Sequence, residues 1–187
     1  MYGGGASGSR GVSTAGAWHT TSIALILVGG ATAVGVLPGF TRAGWAAIGP
    51  GASLPGLLIT LALAAVWQYQ RIRAEAAGAA RPAGFGTAAL VAAAILVAGR
   101  IAVIYAGPFL IFSVGLLVAG WMQRNRFLVI WALAAGGLGV LEGFYGITNR
   151  LRAPLWQPWL HPAVFLTIAL ATVLAGIVVW RREAHAR

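Results

Sequence analysis

A single acidic residue, Glu142, lies inside a long apolar stretch of the chain, and Arg100 lies inside another. Counted at about 1.5 Å per residue from the arginine-rich ends of their helices, both residues lie about 21–22 Å deep. The two charges can therefore pair if their helices are neighbours. A charge at the centre of a membrane costs about 2.5–3.5 kcal/mol on insertion scales, so both groups need a partner, a proton or water.

Further polar side chains follow at the same end of the predicted helices. We predict an outward-facing polar pocket formed by Arg100, Glu142, Tyr145, Asn149 and His161. In it, Arg100 would bind an anionic group and Glu142 would set the charge or relay a proton, because intramembrane charges often mark solute or proton pathways. The alternatives are that Arg100 only extends to the interface, that the pair is a structural lock, and that the aromatic residues form an interfacial belt.

Other kinds of chemistry are poorly supported by the composition. The chain has no cysteine, which excludes disulfides and thiolate chemistry. The two remaining acids, Glu75 and Glu183, fall in predicted cytoplasmic segments, so no paired-carboxylate or Mg²⁺-diphosphate site can form inside the bundle. His19 and His161 should lie about 30 Å apart. We predict no metal site and no cofactor.

Six apolar runs must position these residues. The chain of 187 residues is 59% hydrophobic and 9% charged, a composition too apolar for a soluble surface. The sequence therefore predicts an all-α, polytopic integral membrane helix bundle with six transmembrane helices at residues 17–182, between a flexible tail at 1–16 and a short tail at 183–187. The predicted apolar runs are 17–40, 54–69, 86–105, 108–122, 127–147 and 161–180.

The basic residues orient this bundle. All of them are arginines, and they give a net charge of +10. Most arginines lie on the side that carries both termini, so the positive-inside rule predicts cytoplasmic N and C termini in a multi-pass protein of the inner membrane. Because the arginines flank apolar runs and accompany no binding motif, we exclude nucleic acid as a partner. The Ala-, Gly- and Arg-rich composition favours a bacterial source.

One alternative concerns the first run. Arg10, the apolar stretch from Ser22 and the small residues around Ala33 loosely resemble a cleavable signal covering residues 1–33. The apolar run continues past this point to Phe40, which favours a retained helix.

Runs two, four and six also resemble one another. Pro55, Pro108 and Pro162 are each followed five positions later by a hydroxyl residue, namely Thr60, Ser113 and Thr167. The pattern predicts three similar helical hairpins around a central space, as in transporters built from repeats. Chance similarity between apolar helices is the alternative.

Small residues recur at four-residue spacing in runs one and five. Such stripes let helix backbones approach closely in lipid, and packing within one bundle is favoured over a dimer face. The predicted packing residues are Ala31, Gly35, Gly39, Ala135, Gly139 and Gly143.

Three functional classes remain open. The favoured one is a permease-like or transport-associated protein that uses the pocket around Arg100 and Glu142 to bind a small solute. The first alternative is a non-catalytic membrane subunit that docks a membrane protein partner. The second is a membrane-embedded enzyme with Glu142 as general acid or base, although the absence of catalytic motifs favours a non-enzyme. In each case the lipid bilayer is the surrounding partner.

Overall fold

The computed structural model describes residues 19–40, 53–78, 84–99, 107–145 and 160–185. Every secondary-structure element within these ranges is a helix, which confirms the predicted all-α class. Apolar runs fold in this way because a helix satisfies its backbone hydrogen bonds within one segment.

The described residues form six helical segments, which we number α1 to α6. The fifth, α5, is a continuous run of an α-helix, a π-helix and a second α-helix. The bounds are α1 His19–Val36 with a 3₁₀ turn at Leu37–Phe40, α2 Ser53–Ala76, α3 Gly84–Ala98, α4 Phe109–Met122, α5 Arg126–Trp131, Ala132–Gly136 and Gly137–Tyr145, and α6 Leu160–His185.

Two of these helices continue beyond their apolar runs. α2 extends past Tyr69 through Arg71 and Arg73, and α6 extends through Glu183 to His185. Part of the predicted C-terminal tail is therefore helical. Polar residues continue a helix readily at its solvated end, because arginine and glutamate are good helix formers.

A tight turn joins α4 to α5. Arg124 takes a left-handed conformation with φ 53°, and its N–H donates to the carbonyl of Trp121, while the N–H of Asn125 donates to the carbonyl of Gly120. This pair of hydrogen bonds is a Schellman motif that ends α4. The Asn125 side chain then accepts hydrogen bonds from the N–H groups of Phe127 and Leu128 and caps α5.

The helices pack mostly against their neighbours in sequence, with one exception. α1 lies between α2 and α6, α3 packs on α2 and α4, and α5 packs mainly on α4. α6 makes its most extensive contact with α1 and only a small one with α5. The two helices of the third predicted hairpin, α5 and α6, therefore pack less extensively against each other than the helices of the first two hairpins do.

Glycines set the close approach of α1 and α6. A Cβ atom on Gly29 would lie 3.0 Å from the carbonyl oxygen of Ala169, and one on Gly176 would lie 3.0 Å from that of Ser22. Backbones this close leave no room for a larger side chain, so small residues determine this contact.

Large apolar side chains occupy both the core and much of the outer surface of the described helices. Phenylalanine, leucine and alanine side chains fill the interior. Large apolar side chains also point outward, including Leu90 at 73%, Val97 at 76% and Trp121 at 77% exposure. Helices that are apolar on all sides are typical of buried or membrane-embedded segments.

Among the described residues, one helix is both long and apolar enough to cross a membrane, at Pro162–Arg182. Three shorter apolar helices accompany it, at Thr20–Val36, Gly84–Ala98 and Phe109–Met122. One such helix is weak evidence by itself, so the six-span arrangement is a proposal.

Candidate functional site

Glu142 lies in the second α-helical piece of α5, and its side chain is fully buried. It shares one face of α5 with Ala135 and Gly139, which are also buried. This is the face that the spacing of small residues predicts to pack against protein. In the described part of the chain, Glu142 is the only buried acidic side chain.

α4 holds this face of α5 in place. A Cβ atom on Gly139 would overlap the side chain of Phe109, and one on Gly136 would overlap Ser113. The two helix backbones therefore approach closely at two successive turns. This contact places Gly139 level with the start of α4, and Glu142 lies one turn, about 4.5 Å, beyond it.

A π-helix interrupts α5 just before this face. Ala132 begins it, and the hydroxyl of Ser113 on α4 donates a hydrogen bond of 3.1 Å to the Ala132 carbonyl. Directly before it, the indole N–H of Trp131 donates to the Thr172 hydroxyl on α6 at 3.1 Å. The π-helix is thus attached to α4 on one side and to α6 on the other. Single π-turns inside α-helices occur frequently at functional sites.

Aromatic rings line the bundle near the start of α4. Phe109 stacks on Phe165 with ring centroids 5.1 Å apart, and Phe112 packs against Phe109 at 5.2 Å. Gly107 precedes this cluster with φ 70°, a conformation that favours glycine. Glu142 is buried near the same end of the bundle, and little water screens the interactions of a buried carboxyl group.

The structure describes the side chain of none of the other predicted site residues. Arg100 and Asn149 lie outside the described residues. Tyr145 is the last residue of α5 and His161 lies in the first turn of α6, and each is described by its backbone alone. The Arg100–Glu142 pair therefore stays a prediction.

The predicted packing residues of α1 are described more fully. Gly35 is buried, and a Cβ atom on it would lie 2.7 Å from the Cα of Pro55 on α2. Ala31 is half-buried. The surroundings of Gly39 and Gly143 lie outside what the structure describes.

Sequence reasoning missed a second polar region, at the opposite end of the bundle. The amide of Asn125 donates a hydrogen bond of 2.6 Å to the Thr21 hydroxyl, and Gln70 on α2 is buried. The sequence does contain a signal for Gln70. The residue follows Leu63 and Val66 at helical spacing and therefore shares their face of α2, one position beyond the end of the apolar run.

Metal ligation finds no support in the described parts of the chain, where no group of three histidine, aspartate or glutamate side chains comes together. No protein-family model, curated protein or solved structure matches this sequence. The function is therefore argued from the residues themselves.

Proposed function

We propose that the chain is a six-span bundle of the bacterial inner membrane with cytoplasmic termini, and that it acts as a permease for a small solute or for protons. The outward-facing pocket would consist of Arg100, Glu142, Tyr145, Asn149 and His161. In this pocket, Arg100 binds an anionic group and Glu142 relays a proton or sets the net charge of the pocket.

The distribution of apolar surface supports the membrane assignment. Every described helix exposes large apolar side chains, and extensive exposed apolar surface is uncommon on a soluble monomer. α5 also continues without a break through its pieces of 6, 5 and 9 residues, which together approach the thickness of a bilayer.

The arginines support the orientation. Arg71 and Arg73 near the end of α2, Arg124 and Arg126 at the α4–α5 turn, and Arg181 at the end of α6 belong to one end of the antiparallel bundle. The Gly35–Pro55 contact lies at the other end. An arginine-rich end of this kind is typical of the cytoplasmic side.

The observation that carries the functional proposal is the complete burial of Glu142. Buried ionic groups rarely improve stability over apolar residues of similar volume, so packing alone does not explain a carboxyl group at this position. Within a membrane, such groups are typical of proton relays and solute pathways.

The test compares two glutamates that differ in burial. The protein is reconstituted into liposomes that contain a pH-sensitive dye, and proton flux is measured after a pH step in chloride or phosphate buffer. For Glu142→Gln we expect a loss of flux of roughly tenfold or more, which corresponds to about 1.4 kcal/mol of barrier.

Glu75→Gln is the matched control. It makes the same chemical change at an exposed glutamate, whose Oε1 accepts a hydrogen bond of 2.9 Å from Arg71, and its flux should equal that of the wild type. Wild-type flux no greater than that of protein-free liposomes in either buffer would overturn the proposal. Equal flux in the wild type and Glu142→Gln would remove Glu142 from the pathway.

A further inference from the structure

Gln70 is a buried polar side chain whose acceptor is unused. The residue is 7% exposed, and its Oε1 atom has no hydrogen-bond partner among the residues that the structure describes. A buried polar atom without a partner destabilises the fold, because it loses its hydrogen bonds to water and gains none in return. A ligand that supplies a donor would remove this penalty.

The position of Gln70 along the bundle follows from the α1–α2 contact. At about 1.5 Å per residue, Thr21 and Gln70 lie about 21 Å and about 22 Å from the Gly35–Pro55 contact along their antiparallel helices. They are therefore level with each other, near the arginine-rich end. Gln70 also continues the buried face of α2 formed by Leu63 and Val66, so it is directed into the bundle.

Hydrogen bonds hold the neighbouring helices together at this level. The Asn125 amide donates to Thr21 on α1, while the Asn125 oxygen caps α5. Each buried polar side chain that the structure describes at this end is uncharged. These side chains are Thr20, Thr21, Ser22 and Gln70.

Three charged side chains of α2 at this end have partners near the surface. Arg71 pairs with Glu75 on the exposed side of α2. The guanidinium of Arg73 lies 5.2 Å from the ring centroid of Tyr69. A charged solute would need an opposite charge in the interior to offset the cost of its desolvation, and the buried polar side chains described at this end supply none.

We propose that the interior around Gln70, Thr21 and Asn125, which we call the Gln70 site, binds a small uncharged solute through a hydroxyl or amide donor. It is separate from the pocket at Glu142, and the solute enters it from the cytoplasmic end. The inference rests on the proposed function, from which it takes the cytoplasmic location of this end and the presence of a solute pathway.

The absence of cysteine from the chain makes this site directly testable. Gln70→Cys and Leu63→Cys are reconstituted and treated with a membrane-impermeant, thiol-specific methanethiosulfonate reagent on the arginine-rich side. Leu63 is the matched control because it lies on the same face of α2 and is 0% exposed. We expect Gln70→Cys to be labelled and Leu63→Cys to stay unlabelled.

The ligand is then tested by protection. Glycerol, urea and acetamide are the probes, and sucrose at equal osmolarity is the control for solutes too large to enter. Protection is measured on Thr21→Cys, because this variant keeps the Gln70 side chain that accepts the solute's hydrogen bond. Its labelling rate should fall roughly by half when the free probe concentration equals the Kd, as mass action requires.

Each outcome decides one part of the inference. Labelling that is slowed by a probe and not by sucrose supports a solute site. Labelling that no probe slows would show a site for water only, and no labelling would show a closed core; either result overturns the proposal. Should Gln70→Cys fail to fold, Thr21→Cys reports on the same interior.

The two proposals can fail separately. The protection assay measures binding and needs no transport, whereas the Glu142→Gln experiment measures proton flux. Protection at Thr21→Cys without proton flux would retain the Gln70 site and refute the proposed role of Glu142.

Discussion

At the scale of single residues, the buried polar groups fall into two kinds. The hydroxyl of Thr32 donates to the Val28 carbonyl at 2.7 Å, and that of Thr172 donates to the Ile168 carbonyl at 2.8 Å. A short hydroxyl side chain thus finds a partner on its own helix. Glu142 and Gln70 instead carry a carboxyl and an amide group into the interior, and the functional inferences concern these two residues.

A pair of glycines on α5 offers a test of packing at this scale. A Cβ atom on Gly139 would overlap Phe109, whereas one on Gly137 meets nothing within 4 Å. We expect Gly139→Ala to lower the free energy of unfolding by about 1–3 kcal/mol, as overpacking does. Gly137→Ala should raise it by up to about 1 kcal/mol, because alanine favours the helix.

Thermal unfolding of the detergent-purified variants, followed by circular dichroism, measures both effects. Shifts of the same sign in the two variants would contradict the close contact between α4 and α5.

At the scale of elements, the proline-headed helices resemble one another in sequence but use their hydroxyl residues differently. The Thr60 and Thr167 hydroxyls each donate to a carbonyl four residues earlier in the same helix. The Ser113 hydroxyl instead donates to Ala132 on α5. This departure occurs where the π-helix begins, so the repeat does not extend to the contact that positions Glu142.

This difference gives the prediction for α4 and α5. Ser113→Ala removes an interhelical hydrogen bond, and we expect a loss of about 0.6 kcal/mol and at most about 1.7 kcal/mol of stability. Thr167→Val, at the equivalent position of α6, removes only a bond within its own helix and should have a smaller effect. Unfolding in a graded sodium dodecyl sulfate series compares the two; an equal or larger loss in Thr167→Val would argue against the role of Ser113.

At the scale of the whole molecule, the prediction concerns orientation. Single cysteines are introduced at Ala77, which is exposed beyond α2, and at Ala43, between the first two predicted spans. In intact bacterial cells, a membrane-impermeant maleimide should label Ala43→Cys and should label Ala77→Cys only after the membrane is opened, if the arginine-rich end faces the cytoplasm as proposed. Labelling of Ala77→Cys in intact cells would reverse the assignment and move the Gln70 site to the outside.

Much of the architecture could be predicted from the order of residues along the chain. The apolar runs predict helices because the backbone of an apolar segment must satisfy its own hydrogen bonds, and each described helix begins within two residues of its predicted run. The spacing of Ala135, Gly139 and Glu142 predicts a common face, because residues three and four apart lie on the same side of a helix. Arg100 and Asn149 lie outside the described residues, so the complete pocket stays a prediction.

Only the tertiary structure decided which of these surfaces meet. The extensive contact of α6 with α1, the π-helix at Ala132–Gly136 and the level position of Gln70 with Thr21 all depend on segments far apart in the chain. Local periodicity reports which face of a helix is buried, but it carries no information on the helix that covers that face. The sequence by itself therefore determined the helices and their charged ends, while long-range packing decided the surroundings of Glu142 and Gln70.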